Sequence, residues 1–327
     1  MDRNRTITVI GGSGRCGSTL LRRMLGEHPD VFAAPELRFT VDPGGLVDFY
    51  VSASELWSPW IYADRYKRLE ALLRATGPKA AWTTYYRRLM SAISLLRRAP
   101  MNLDVAYGAV DASRTYPNYV AFVDQLLMRL KEFGYRAYWT GSHFLESAEL
   151  PFGNYREQRE LASVLGAFYL QLVEDALSNS QTRFYVEKNT WYVLCFDRFL
   201  DLVPTAKLIH IHRDPRDVVT SLIRQRWAPK NMEQAAVFYK CIMQKWHRVR
   251  DELPPDSYLD VGYERLVADP RAVLRDIGEF ANLPVSFDHP NLSKKSIGQW
   301  RRELTKPQIE FLETQLAIEI ETYGYAS

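Results

Sequence analysis

The chain has 327 residues, room for one large or two ordinary domains, and its 46% hydrophobic and 25% charged content suffices for a buried core. A formal net charge of +3 is too small to argue for nucleic acid, and three scattered cysteines (Cys16, Cys195 and Cys241) give neither a disulfide framework nor a metal spacing. The first strand follows Met1–Arg5 with no apolar leader, and no run of about 18 apolar residues offers a membrane span, so the expectation is a cytoplasmic protein.

The first element is a short apolar strand, Ile7 to Ile10, running into Gly11-Gly12-Ser13-Gly14-Arg15-Cys16-Gly17-Ser18-Thr19. Counted from Gly12 the pattern is G-x-x-x-x-G-S-T, so Ser18 stands where a P-loop carries its lysine. Leu20, Leu21, Met24 and Leu25 continue at helical spacing. Such a loop aims backbone N–H groups and a helix N-terminus at an anion, and Arg15, Ser18 and Thr19 suit one. The missing lysine points to a phosphate that is not a triphosphate. The plain alternative is a strand–turn–helix that uses glycine for tightness.

Breaks follow at His28-Pro29 and Pro35-Glu36. Glu36 is a candidate general base beside a phosphate-type site, although a loop carboxylate is more often simply exposed. From about Leu46 to Leu177 the pattern is mostly helical, with Leu69, Leu72 and Leu73 on one face and Leu126, Leu127 and Leu130 on another. Gly77-Pro78, Ala99-Pro100, Gly134, Pro151 and Gly153 punctuate it. The region carries Trp57, Trp60, Tyr62, Trp82, Tyr85, Tyr86, Arg87, Arg88, Arg97 and Arg98, read either as an acceptor pocket or as helix core with a solvated basic face. His143, in Thr140-Gly141-Ser142-His143-Phe144, is a second-choice base.

Strands return at Arg183–Val186 and Ala206–His212, each followed by a predicted helix, Tyr192 to Leu202 and Pro215 to about Arg226. The first delivers Glu187-Lys188 and the second Arg213-Asp214 to its carboxyl end, where open α/β sheets bind ligands. Ser221 lies two helical turns beyond Arg213, while His210 and His212 alternate with isoleucines and read as satisfied strand residues. A long helix runs from about Glu233 to Arg250; a strand, Ser257–Val261, precedes a helix with Asp269 as N-cap and Pro270 in its first position. This alternation predicts an α/β fold, a central parallel sheet flanked by helices, P-loop NTPase-like, with the Leu46–Leu177 region as a large helical insertion over the sheet's carboxyl edge.

Five motifs in this order resemble the PAPS-dependent sulfotransferases: Arg15-Cys16-Gly17-Ser18-Thr19, His28-Pro29, Glu36, Glu187-Lys188, and Arg213-Asp214-Pro215-Arg216 with Ser221; two late segments agree, Val261–Val267 (similar to Y-E-x-L) and Lys295–Arg301 (similar to G-x-W). The likeness is greatest to the branch that includes tyrosylprotein sulfotransferases. It implies one sulfotransferase domain over residues 1–327, with 46–177 shaping the acceptor site. By the resemblance, Arg15, Cys16, Gly17, Ser18 and Thr19 hold the 5′-phosphosulfate of PAPS (3′-phosphoadenosine 5′-phosphosulfate), and Arg213 and Ser221 hold the 3′-phosphate. Tyr263 lies near the nucleotide and the segment around Arg301 closes over it. The same resemblance implies Glu36 as the base, Lys188 and Arg15 as charge stabilisers, and PAP as the product, with no metal required. Cys16 replaces the usual serine but keeps the backbone N–H.

In-line sulfuryl transfer develops charge on the sulfate oxygens and the departing bridging oxygen, which fixed cations stabilise. A P-loop kinase or nucleoside triphosphatase would need the lysine that Ser18 replaces and a strand-end acid for magnesium. A non-catalytic nucleotide-binding module is the third reading. The expected acceptor is a small-molecule or natural-product hydroxyl, with peptide tyrosine or carbohydrate as alternatives, and no nucleic-acid partner.

Overall fold

Five apolar stretches pair in parallel as one sheet in the computed structural model, which describes residues 6–78, 110–137, 149–286 and 292–325. In chain order the elements begin with β1 (Ile7–Gly12), α1 (Ser18–Leu25) and β2 (Val31–Ala33). Then come α2 (Arg38–Val41), α3 (Leu46–Glu55), α4 (Pro59–Thr76), α5 (Tyr119–Leu130), β3 (Phe133–Tyr135), β4 (Leu150–Phe152) and α6 (Gln158–Ser180). The remainder is β5 (Phe184–Lys188), α7 (Phe196–Leu202), β6 (Ala206–His212), α8 (Pro215–Leu222), α9 (Met232–Asp251), β7 (Tyr258–Gly262), α10 (Tyr263–Ala268), α11 (Pro270–Ala281), α12 (Gln299–Glu303), α13 (Lys306–Gln315) and α14 (Ala317–Thr322). Two compact units contain them: Leu37–Gln181 with Asp201–Val203, and Asp2–Glu36 with Thr182–Leu200 and Pro204–Ser327.

The second unit holds the sheet, in the order β2-β5-β1-β6-β7. Its central strands are mostly apolar, as strands covered on both faces tend to be, and every residue of β1 is buried. On one face Leu21, Met24 and Leu25 of α1 and Val273, Leu274 and Ile277 of α11 pack with Ile10, Val186, Ile209 and Ile211. Alternation sends His210 to the other face, its ring 4.6 Å from that of Trp246 on α9. The fold class is thus as expected, helices on both sides of a parallel sheet.

The register positions the site. Ile10 of β1 pairs with Lys188, Gly12 with Ile211, and Ala33 of β2 with Val186. The carboxyl ends of four strands therefore lie side by side, and the loops leaving them converge. From β1 the chain turns one way to β2, and from β5 it crosses back past β1 to β6, so the switch point falls at β1.

The helical unit is built on α3 to α6, with Phe49 edge-on to Tyr62 at 5.5 Å and the Tyr66 hydroxyl donating to the Leu127 carbonyl at 3.1 Å. Leu69, Leu72, Leu73, Leu126, Leu127 and Leu130 are all buried, as their spacing predicts. One element in it differs from the sequence reading. Phe133–Tyr135 and Leu150–Phe152 form an antiparallel pair, with Phe133 stacked on Phe152 at 4.7 Å, where Gly134 and Pro151 look only like helix punctuation. Pro151 pairs with Gly134 in a two-stranded ribbon, where a missing N–H is tolerated. Helix α6 is long and apolar enough to cross a membrane by length and composition only. Leu161, Leu165, Phe168, Tyr169, Leu172 and Val173 are buried within this unit, which fits a core helix.

Two predicted helices change their bounds. The Tyr192–Leu202 stretch is a 3-10 turn, Thr190–Leu194, followed by α7, because the Asn189 side chain accepts from the Trp191 N–H and tightens the first turn. Helix α8 ends at Leu222 rather than near Arg226, and a turn closes after it with the Gln225 N–H on the Leu222 carbonyl at 2.8 Å. Asp269 caps α11 through the Ala272 N–H and Pro270 opens it, as expected. Trp82, Tyr85, Tyr86, Arg87, Arg88, Arg97, Arg98 and His143 lie outside the described residues.

Candidate active site

The loop between β1 and α1 is wound by three residues of positive φ: Gly14 (82°), Arg15 (58°) and Gly17 (100°). Arg15 is the unusual member, since a side chain in the left-handed region is uncommon and is held there by its surroundings. A Cβ on Gly17 would sit 2.3 Å from the Tyr263 ring, so only glycine lets loop and ring approach this closely. Gly17 is the N-cap of α1 and no side chain caps the helix, which leaves its first N–H groups directed at the loop. Cys16 and Ser18 are buried, and Thr19 is exposed. Burial pushes the Cys16 thiol above its ordinary value, against weaker lowering by backbone N–H groups and Lys188, so this cysteine packs the loop rather than reacting.

Two strand ends complete one side. Lys188 closes β5 and Glu36 lies three residues past β2, and the β2–β5 register brings them together: Lys188 Nζ donates to Glu36 Oε2 at 2.9 Å. They are 13% and 29% exposed, half-buried but reachable from solvent. On the other side, Arg15 Nε donates to the Ser221 hydroxyl at 3.0 Å, and Arg213 Nη1 donates to the Arg15 carbonyl at 3.2 Å. The Arg15 guanidinium thus lies between the loop and Ser221. Arg213 also stacks on the Tyr263 ring, 5.1 Å from its centroid, and its buried Nε meets no acceptor among the described residues. A buried donor without a partner, beside helix N–H groups in a glycine cradle, fits a bound phosphate group.

The described sequence-predicted site residues therefore lie at the carboxyl ends of these strands or on their late flank; His143 lies outside the described residues. Arg301 is on the flank, its guanidinium 4.2 Å from the Trp300 ring centroid. Among the described residues no group of three or more His, Cys, Asp or Glu is arranged to hold a metal ion.

Several residues escape the sequence reading. Trp227, half-exposed, has its Cη2 3.0 Å from where a Cβ on Gly14 would be, and its ring lies edge-on to Trp191 at 5.9 Å. An exposed indole over a phosphate-type loop is a stacking surface for a planar base. Its only sequence signal is Trp227-Ala228-Pro229, a turn marker hidden when α8 is drawn to Arg226. Behind the site, Arg216 is buried and bonds Asp214, Glu313 at 2.8 Å and the Tyr325 carbonyl at 2.7 Å. Glu264 accepts from the Asp214 N–H at 3.1 Å and from the Tyr325 hydroxyl at 2.8 Å.

His212 is the satisfied strand histidine, its Nδ1 2.8 Å from the Tyr325 hydroxyl, whereas His210 bonds Asp260 through Nδ1 at 2.6 Å and its buried Nε2 meets no partner among the described residues. His212 also stacks on Tyr323 at 4.2 Å. Burial, and secondarily the neighbouring His210, lowers its pKa from 6.5 to about 4, against the opposing pull of Asp260. The unfolded chain then binds more protons than the folded one between those values, so stability falls as pH drops from 6.5 towards 4. His247, lowered mainly by burial, adds to this trend, whereas Glu264, raised mainly by burial, works against it. Urea midpoints at pH 7 and pH 5 should therefore differ less in His212→Gln than in the parent. Equal differences would assign the acid sensitivity elsewhere.

A profile of the sulfotransferase family matches residues 8–288. An uncharacterized protein of Aquifex aeolicus (strain VF5) is 31% identical over 34% of this chain; the match spans 18% of that protein's own length. Among solved structures, the sulfotransferase domain of the Synechococcus PCC 7002 olefin synthase is 21% identical with a TM-score of 0.48, covering 96% of each chain. A sulfotransferase of Mycobacterium avium is 16% identical with a TM-score of 0.45, covering 98% of this chain and 77% of that one.

Proposed function

This chain belongs to the sulfotransferase family, and on that premise we propose that it moves a sulfuryl group from PAPS to a hydroxyl of an acceptor, releasing PAP. One observation carries the reading: the glycine loop has Ser18 in place of a lysine, and the nearby cation is Lys188 on another strand, paired with Glu36. The loop N–H groups, Ser18 and Thr19 take the 5′-phosphosulfate. Arg213 and Ser221 take the 3′-phosphate, and Trp227 and Tyr263 flank the nucleotide. When bound, PAPS supplies an activated sulfuryl group on a phosphate leaving group. Glu36 accepts the proton of the attacking hydroxyl, while Lys188 and Arg15 offset the charge that grows on the departing oxygen and the sulfate.

Lys188 and Glu36 hold each other when no acceptor is present. An acceptor hydroxyl bonding Glu36 frees the ammonium to turn towards the leaving oxygen, so one ion pair positions both groups. For the acceptor we keep a small-molecule hydroxyl.

Calorimetry tests the donor. Adenosine 3′,5′-bisphosphate is expected to bind with the same affinity in magnesium and in EDTA, and ATP about tenfold or more weakly, the difference of one or more charge-assisted hydrogen bonds. Magnesium-dependent ATP binding with no bisphosphate binding would sink the reading in favour of a kinase or nucleoside triphosphatase.

A further inference from the structure

Asp217 is a fully buried carboxylate beside the anion site that the reaction above leaves without a role. It lies on α8, one turn after Arg213, and its Oδ2 is 3.2 Å from Arg213 Nη2. The same oxygen accepts from the Gly298 N–H at 2.8 Å, and Oδ1 accepts from the Trp300 N–H at 3.0 Å. Gly298 has φ of 67°, and this left-handed turn aims both amides at one carboxylate. Arg213 Nη2 also donates to the Ser296 carbonyl, whose side-chain hydroxyl is 2.6 Å from that of Tyr263. One carboxylate thus ties the α8 helix, the Arg213 guanidinium and the Ser296–Trp300 segment together.

Burying that charge is costly unless it is paired and hydrogen-bonded, and here Arg213 and two amides meet the requirement. The consequence for Arg213 is a fixed orientation. Nη2 is committed to Asp217 and Ser296, and Nη1 to Arg15, while Nε, buried and without an acceptor among the described residues, stays open. Arg213 is only 6% exposed, so it cannot seek an anion by swinging outward; the anion must come to it.

We propose that Asp217 is a positioning residue that sets Arg213 and the Ser296–Trp300 segment to recognise the 3′-phosphate, and so lets the site tell a 3′,5′-bisphosphate from a 5′-monophosphate. The proposal rests on the PAPS reading above. A merely structural carboxylate would weaken both nucleotides together; a positioning one weakens only the ligand that carries the 3′-phosphate.

The test is calorimetry of the whole chain with adenosine 3′,5′-bisphosphate and with AMP. The parent is expected to prefer the bisphosphate. Asp217→Asn should weaken the bisphosphate about tenfold or more and AMP less than about twofold, the signature of charge-assisted bonds lost at one phosphate. Hydrogen exchange at the Gly298 and Trp300 amides should quicken in the same variant. Equal losses for both nucleotides, or none, would overturn the proposal. Should Asp217→Asn fail to fold, Asp217→Glu keeps the charge on a longer arm, and the same selective or equal loss decides. A parent that does not discriminate the two nucleotides would instead remove the PAPS reading itself, and this inference with it.

Discussion

Glu36→Ala is expected to lower turnover about 10²–10⁴-fold, the usual contribution of a positioned general base. Lys188→Ala should cost about 10²–10³-fold, as does loss of one group that stabilises developing charge. In both variants adenosine 3′,5′-bisphosphate should bind within about threefold of the parent, because neither group belongs to the loop that holds the phosphates. The expectation follows from the geometry of the pair. Glu36 and Lys188 leave adjacent strands, meet at 2.9 Å and face solvent in part, so a hydroxyl can reach them. Single-turnover assays read by product mass, with calorimetry alongside, separate chemistry from binding. Full activity in Glu36→Ala would move the base elsewhere, with His143 next. No turnover in the parent itself, with adenosine 3′,5′-bisphosphate still bound, would leave a nucleotide-binding module rather than this catalyst.

The largest effect on stability is expected at Arg216. Its side chain is 2% exposed, 2.9 Å from Asp214, 2.8 Å from Glu313 and 4.0 Å from the Trp300 ring centroid. Arg216→Ala leaves the Asp214 carboxylate, 10% exposed, without its cation. Trp300 Nε1, 3.1 Å from Asp214, offers a hydrogen bond but no charge. Removing one partner of such a buried pair costs about 3–5 kcal/mol, which for a domain of ordinary stability is a large share of the total. The substitution also releases the Tyr325 carbonyl, so the C-terminal strap and the adjoining Glu264 contacts should loosen together. Urea denaturation followed by tryptophan fluorescence gives the comparison. As a control, Arg65→Ala breaks an ion pair with Asp48 that is 35% and 28% exposed, and it should cost no more than about 1 kcal/mol. A cost at Arg216 as small as at Arg65 would show that Asp214 is solvated after all.

The chain's sequence by itself determines its loops and its layers. The G-x-x-x-x-G-S-T run, the apolar strands and the capped helix starts are written in neighbouring residues, so the glycine loop, the parallel sheet and the α11 cap at Asp269 were legible. The spacing of Arg213 and Ser221 was legible for the same reason, since the capped start of α8 and its first two turns lie between them. The hairpin Phe133–Tyr135/Leu150–Phe152 was not, because short strands of glycine, proline and aromatics lack a two-residue period.

What only the tertiary structure decided was which distant residues meet. Glu36 and Lys188 are 152 positions apart, and only the pairing of Ala33 with Val186 makes them neighbours. Trp227 reaches the loop because α8 stops at Leu222, and Asp217 reaches Gly298 and Trp300 because a left-handed turn points two amides at one carboxylate. Local pattern sets what each segment becomes. Register, helix length and the pairing of buried charges set where its side chains arrive.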